Sequence, residues 1–124
     1  MTALRQKIPR PVISQVRPRE LSEWLKTARH AGHPVVLDVR EPSELRTASV
    51  AAGDFRLVTI PMGSLPARIA ELDPLQPVAC LCHHGGRSMQ VASFLSGRGF
   101  THVANIAGGI HAWSDELDPS IPHY

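Results

Sequence analysis

The run Pro34–Val39 (PVVLDV) constrains the fold of this chain more than any other stretch. It is aliphatic and β-branched on nearly every position, so both of its faces are apolar, and such a strand has to be covered on both sides. Val78–Leu81 (VACL) is equally short and apolar. Val12–Val16, Phe55–Ile60 and Val103–Ile106 read as further strands, the fourth stretch in chain order being the VACL run. Between them lie helical patterns. Pro18-Arg19-Glu20-Leu21 opens one, with proline at an early position and an acid in the first turn; Leu21, Trp24, Leu25 and Ala28 then share one apolar face, and Gly32 ends it. Glu41-Pro42-Ser43-Glu44 begins a second helix, Leu65–Leu72 forms a third before Asp73-Pro74, a fourth runs from the loop after Cys82 to Gly97, and a fifth from Ile110 to about Leu117. Strands alternating with short helices predict an α/β domain: a mostly parallel sheet with helices on both faces.

The chain of 124 residues fits one such domain, expected over residues 12–117, with an extended N-terminal arm over 1–11 and a C-terminal tail over 118–124 to which the sequence assigns no role. Hydrophobic residues make up 43% and aromatic ones only 5%, so the core is built of Val, Ile, Leu and Ala. A net charge of +2 gives no electrostatic footprint for nucleic acid, and eleven of the thirteen cations are Arg, which suits oxyanions and carboxylates better than Lys does. Cys80 and Cys82 are too close in sequence to staple a fold, which points to a reducing compartment. No apolar stretch follows the early cations as in a secretory signal, and none is long enough to span a bilayer. The expectation is a cytoplasmic protein with no membrane partner.

Chemistry concentrates in Cys82-His83-His84-Gly85-Gly86-Arg87-Ser88. A strand ends at Cys82 and a helix begins at about Arg87, so the thiol sits beneath helix-terminal N–H groups that lack intrahelical partners. The thiolate is the reactive form, and only about 3% of a free cysteine is ionised at pH 7. A helix terminus contributes roughly 0.3–1 kcal/mol toward an anion, so further donors are required. Gly85 and Gly86 free the loop to turn successive N–H groups inward as a nest, Arg87 is placed to close the ring, and His83 and His84 offer extra donors. An inert core cysteine has no need of such neighbours. Cys80 shares the sheet face of Cys82 but lies inside the apolar run, and is read as core. The cluster Cys-x-Cys-His-His also raises zinc, but it has no second ligand pair at zinc-site spacing, and His30, His33, His102, His111 and His123 are scattered; no metal or other cofactor is expected.

Two further places carry charge or glycine. Asp38 and Arg40 stand at the carboxyl end of the central strand, where parallel sheets bind ligands; Arg40 is either an anion-binding residue or half of a structural ion pair. Gly108-Gly109 is either a second wall near the Cys82 loop or a tight turn, with Trp113 behind it, and the tight turn with a core aromatic is the preferred reading.

These residues together resemble the rhodanese-like sulfurtransferase family, in its small single-domain form. The resemblance runs from about Ile13 and rests on Leu37-Asp38-Val39-Arg40-Glu41-Pro42, on Cys82–Ser88 and on Gly108-Gly109-Ile110-His111-Ala112-Trp113. It implies the rhodanese fold, five strands in a mostly parallel sheet flanked by helices on both faces, and a cysteine that carries sulfur as a persulfide. The spacing C-x4-R makes a smaller ring than that of the related phosphatases, which have one more residue between Cys and Arg. One departure stands out: family members commonly carry Gly-His-Ile-Pro-Gly-Ala between the second and third strands, where this chain has Ser49–Phe55 (SVAAGDF).

The function so implied is a thiosulfate sulfurtransferase. Cys82 attacks a small anionic sulfur donor, Arg87 neutralises it, the loop from His83 through His84, Gly85 and Gly86 to Ser88 holds the persulfide, Arg40 is a candidate binding residue, and cyanide, a thiol or a sulfur-acceptor protein takes the sulfur. A noncatalytic interaction or redox-sensing module on the same fold is the alternative.

Overall fold

The computed structural model describes residues 13–124, so the expected arm over 1–11 lies outside the described residues. The strands are β1 (Ser14–Val16), β2 (Val35–Asp38), β3 (Arg56–Thr59), β4 (Val78–Leu81) and β5 (Val103–Ile106). The helices are α1 (Leu21–Ala28), α2 (Pro42–Thr47), α3 (Leu65–Arg68), α4 (Gly86–Gly97) and α5 (Gly109–Glu116). The helix expected at 65–72 is shorter than its pattern: Leu65–Arg68 is α-helical, with 3-10 turns before it at Met62–Ser64 and after it at Ile69–Glu71.

The five strands form one sheet in the order β1-β5-β4-β2-β3, and every pairing is parallel. The two apolar runs are its centre. Val36 lies opposite Ala79 and Leu37 opposite Cys80, and all eight residues of β2 and β4 are buried. Alternation along the strands divides the core in two. On one face Val36, Ala79, Leu81, Ala104 and Ile106 pack with Leu21 and Leu25 of α1 and with Ile110 and Trp113 of α5. On the other, Val35, Leu37, Val78, Cys80 and Val103 pack with Leu65 of α3 and Val91, Ala92 and Leu95 of α4. Removing a leucine such as Leu37 or Leu95, both wholly buried, is expected to cost about 2–5 kcal/mol.

The strand order sets the position of the site. From β2 the chain passes through α2 to β3 on one side, and from the neighbouring β4 it passes through α4 to β5 on the other. Connections that diverge from two adjacent parallel strands leave a crevice over the carboxyl ends of those strands. Asp38 closes β2 and Cys82 directly follows β4.

Candidate active site at the Cys82 loop

Cys82 leaves the sheet at the end of β4, and the chain turns at once into α4. The turn depends on Gly85, which precedes α4 with φ +109°, a left-handed conformation that side chains with a Cβ disfavour. A Cβ there would also stand 3.2 Å from the Gly108 nitrogen. Gly86 is different: it already belongs to α4, and a Cβ on it would meet open space.

The Cys82 sulfur is buried, with 1% of the residue exposed. Among the described residues two donors reach it: the Gly85 N–H at 3.0 Å and the Ser88 hydroxyl at 3.2 Å. The Ser88 Oγ also lies 2.5 Å from Asn105 Oδ1. One hydroxyl proton cannot serve both acceptors. When Cys82 is a thiol its own proton can go to Ser88 while Ser88 donates to Asn105, and when it is a thiolate Ser88 has to turn its proton to the sulfur. Asn105 is held for this exchange, because its Nδ2 donates to Gln15 Oε1 at 3.0 Å and to the Gly85 carbonyl at 3.2 Å. Behind these, the first-turn amides of α4 from Gly86 to Ser88 have no partner within the helix and remain for an anion.

Cys80 lies on the same core face, wholly buried. Burial above all, and then the neighbouring Cys82, push its thiol well above the usual range, so it stays protonated and inert.

Arg87 does not close on the sulfur as the spacing predicts. Its guanidinium makes a two-pronged pair with Glu44 of α2, both bonds 2.8 Å long. That pair, chiefly its hydrogen bonds, lowers the Glu44 carboxyl to about 2. Glu44 also caps α2 by accepting the Glu41 N–H at 2.9 Å. Two of the five N–H donors of Arg87 are thereby used, and its side chain is 36% exposed.

Arg40 resolves in favour of the ion pair. Its side chain is fully buried, its Nε and Nη2 donate to Asp38 at 2.9 and 2.8 Å, and its Nη1 donates to the Glu44 carbonyl and the Tyr124 hydroxyl. Facing inward with four of its five N–H donors engaged, it ties Asp38 to α2 and the tail.

The rings of His83 and His84 make no hydrogen bond to the sulfur. They stack at 3.8 Å, and Tyr124 stacks on the other face of His83 at 3.8 Å and 5°. Burial, followed by the neighbouring His84, lowers the His83 imidazole, which keeps it neutral near pH 7. The tail thus has a place: the Ile121 carbonyl accepts from Ser114 Oγ, Ile121 enters the core, and the Tyr124 hydroxyl, which takes a bond from Arg40, donates to Glu44.

Gly108-Gly109 is more than the tight turn preferred from sequence. The Ile110 N–H donates to the Cys82 carbonyl and the His111 N–H to the His83 carbonyl, so α5 begins on the backbone of the loop. A Cβ on Gly109 would lie 2.3 Å from the His83 carbonyl oxygen and 2.5 Å from that of Cys82. The two glycines are the second wall of the loop, and Trp113 is core, as expected. Sequence reasoning missed Asn105, Glu44 and Tyr124. A lone amide in the strand Val-Ala-Asn-Ile is the one local signal among them.

Known proteins resemble this chain over most of its length. The family model described as "Rhodanese-like domain" matches residues 21–116. The chain is 36% identical over 117 residues to a chloroplastic rhodanese-like/PpiC domain-containing protein of Arabidopsis thaliana, aligning 93% of this chain but only 38% of that protein. It is 28% identical to the thiosulfate sulfurtransferase GlpE of Stutzerimonas stutzeri, with 82% of this chain and 88% of the relative aligned. The solved rhodanese-related protein of Thermoplasma volcanium superposes with a TM-score of 0.69 at 32% identity, over 90% of this chain and 99% of that one.

Proposed function

The chain belongs to the rhodanese-like domain family, whose relatives include sulfurtransferases, and from that premise we propose that it is a thiosulfate sulfurtransferase working through a persulfide on Cys82. The observation that carries the reading is the sulfur of Cys82 buried at a strand end with the Gly85 N–H and the Ser88 hydroxyl directed at it. The neighbouring Cys80, which no such donor reaches among the described residues and whose thiol is raised, is the internal contrast.

The reaction is a double displacement. The Cys82 thiolate attacks the outer sulfur of thiosulfate, the S–S bond of the donor breaks, and sulfite leaves with its electron pair. The terminal persulfide sulfur carries the negative charge, which the free amides at the start of α4 and the turned Ser88 hydroxyl stabilise. Arg87, fixed on Glu44 but with N–H groups unused, meets the anionic donor at the crevice. Cyanide, a cellular thiol or a sulfur-acceptor protein then attacks the terminal sulfur and releases the Cys82 thiolate. No helix among the described residues is long and apolar enough to cross a membrane, and two unpaired cysteines fit a reducing, cytoplasmic setting.

Steady-state production of thiocyanate from thiosulfate and cyanide tests the scheme. Parallel double-reciprocal lines are expected, as for two half-reactions that share one covalent intermediate. Intersecting lines would mean direct transfer between two bound substrates and would remove the persulfide from the mechanism.

A further inference from the structure

The histidines that look scattered in sequence are not scattered in space. His83 and His84 in the loop and His111 on α5 each offer a nitrogen, and the three nitrogens lie within 4.8 Å of one another. We propose that these three imidazoles form a binding site for a divalent metal ion of the zinc class, beside the Cys82 loop and independent of the sulfur chemistry.

Two of the ring nitrogens are orphaned. His83 Nε2 and His111 Nδ1 are buried from solvent and have no hydrogen-bond partner among the described residues. Ring stacking does not satisfy them, because the lone pair and the N–H of an imidazole lie in the ring plane. Buried polar atoms without partners are uncommon, and a ligand that binds there is one standard explanation.

A carboxylate lies close to the group. The other ring nitrogen of His111, Nε2, lies 3.8 Å from Asp115 Oδ2, and Asp115 Oδ1 is 2.9 Å from His123 Nε2. At 3.8 Å the carboxylate is an electrostatic neighbour of the His111 ring and not its hydrogen-bond partner. The frame is rigid where it has to be: the His111 N–H donates to the His83 carbonyl at 3.2 Å, and Tyr124 packs flat on the His83 ring. His84 is exposed and able to swing. Zinc–nitrogen bonds of about 2.0–2.1 Å in a tetrahedron put ligand nitrogens roughly 3.3 Å apart, and His84 is stacked on His83 at 27°, so completing the set takes rotation of the exposed His84 ring out of that stack together with an approach of about 1 Å or more. Three imidazoles select zinc, copper or nickel over magnesium or calcium, which prefer oxygen. Cys82 is not among the grouped ligands.

Zinc alone is the probe. The full chain, freed of metal with a chelator, is titrated with Zn2+ against a chromophoric zinc indicator. One ion per chain is expected. His84→Ala is the decisive variant, since an exposed ring can be removed without disturbing the fold, and it is expected to weaken binding at least tenfold. Cys82→Ser should leave it unchanged. A cobalt-substituted protein should show the visible bands of a tetrahedral site without thiolate charge transfer. Absence of stoichiometric binding, full affinity in His84→Ala, or loss of binding in Cys82→Ser would each overturn the proposal. So would loss in His123→Ala with His84→Ala unaffected, which would put the ion on the outer group His111, Asp115 and His123 instead.

Discussion

Two adjacent strands end in polar clusters of opposite character. At the end of β2, Asp38 and Arg40 are buried and bonded to each other, and Arg40 donates further to the Glu44 carbonyl and the Tyr124 hydroxyl. At the end of β4, Cys82 has donors aimed at its sulfur, a hydroxyl shared between two acceptors, and helix amides without intrahelical partners. The first cluster is complete in itself. The second is left open: one hydroxyl is shared between two acceptors, and the Gly86–Ser88 amides of α4 have no intrahelical partner. Both sit at the place where parallel sheets bind ligands, so position alone does not separate a structural pair from a reactive site. What separates them is whether the polar groups already have partners.

The largest effect that would sharpen this contrast is on stability. Arg40→Ala strands the buried Asp38 carboxylate and is expected to cost about 3–5 kcal/mol in denaturant unfolding. Replacing both Asp38 and Arg40 by leucine should cost less than Arg40→Ala alone, because no unpaired charge is left behind. Equal or larger losses in the double variant would mean that the pair is not self-contained.

Gly109→Ala comes next. The added methyl would collide with the carbonyls of Cys82 and His83 at a φ of +61°. A loss of about 2–3 kcal/mol is expected, together with slower sulfur loading because the loop has to move. Unchanged kinetics at lowered stability would show that α5 supports the fold but not the loop geometry.

Ser88→Ala acts on the reactive side. One neutral hydrogen bond is worth about 0.5–1.5 kcal/mol, so sulfur loading should slow roughly two- to tenfold. Stability should fall by about 1–3 kcal/mol as Asn105 Oδ1 loses its donor. Stopped-flow sulfite release and urea unfolding measure the two separately.

The smallest effect is a pH dependence. The folded Glu44 carboxyl is lowered to about 2 from an ordinary 4.5, chiefly by its hydrogen bonds to Arg87. A lowered acid contributes stability that is fully present above the unfolded value and is lost as pH falls through the folded one. The difference in thermal midpoint between wild type and Glu44→Gln should therefore be constant above about pH 5 and shrink between 4.5 and about 2. A difference that stays flat down to pH 2 would show that Arg87 does not hold Glu44 in the folded protein.

How far these features can be read from sequence follows from the range of the interactions. The sheet and its central strands are legible because burial on both faces leaves apolar runs, as in Val35–Leu37 and Val78–Leu81. The loop is legible because cysteine, two glycines and arginine lie within seven residues of one strand-to-helix turn. The partners of those residues are not. Glu44 meets Arg87 from 43 positions away, Tyr124 meets Arg40 from 84, and His111 reaches His83 only because α5 starts on the loop backbone. Arg87 shows the consequence: its spacing from Cys82 places it near the sulfur, but a carboxylate on another helix takes its guanidinium.

The sharpest form of the comparison lies within β4 and the residue after it, between Cys80 and Cys82, two thiols on one face of the sheet. Cys80→Ala and Cys82→Ser are incubated separately with thiosulfate and weighed intact. One added sulfur atom is expected on Cys80→Ala, as on wild type, and none on Cys82→Ser; sulfur retained by Cys82→Ser, or lost from Cys80→Ala, would contradict a persulfide on Cys82.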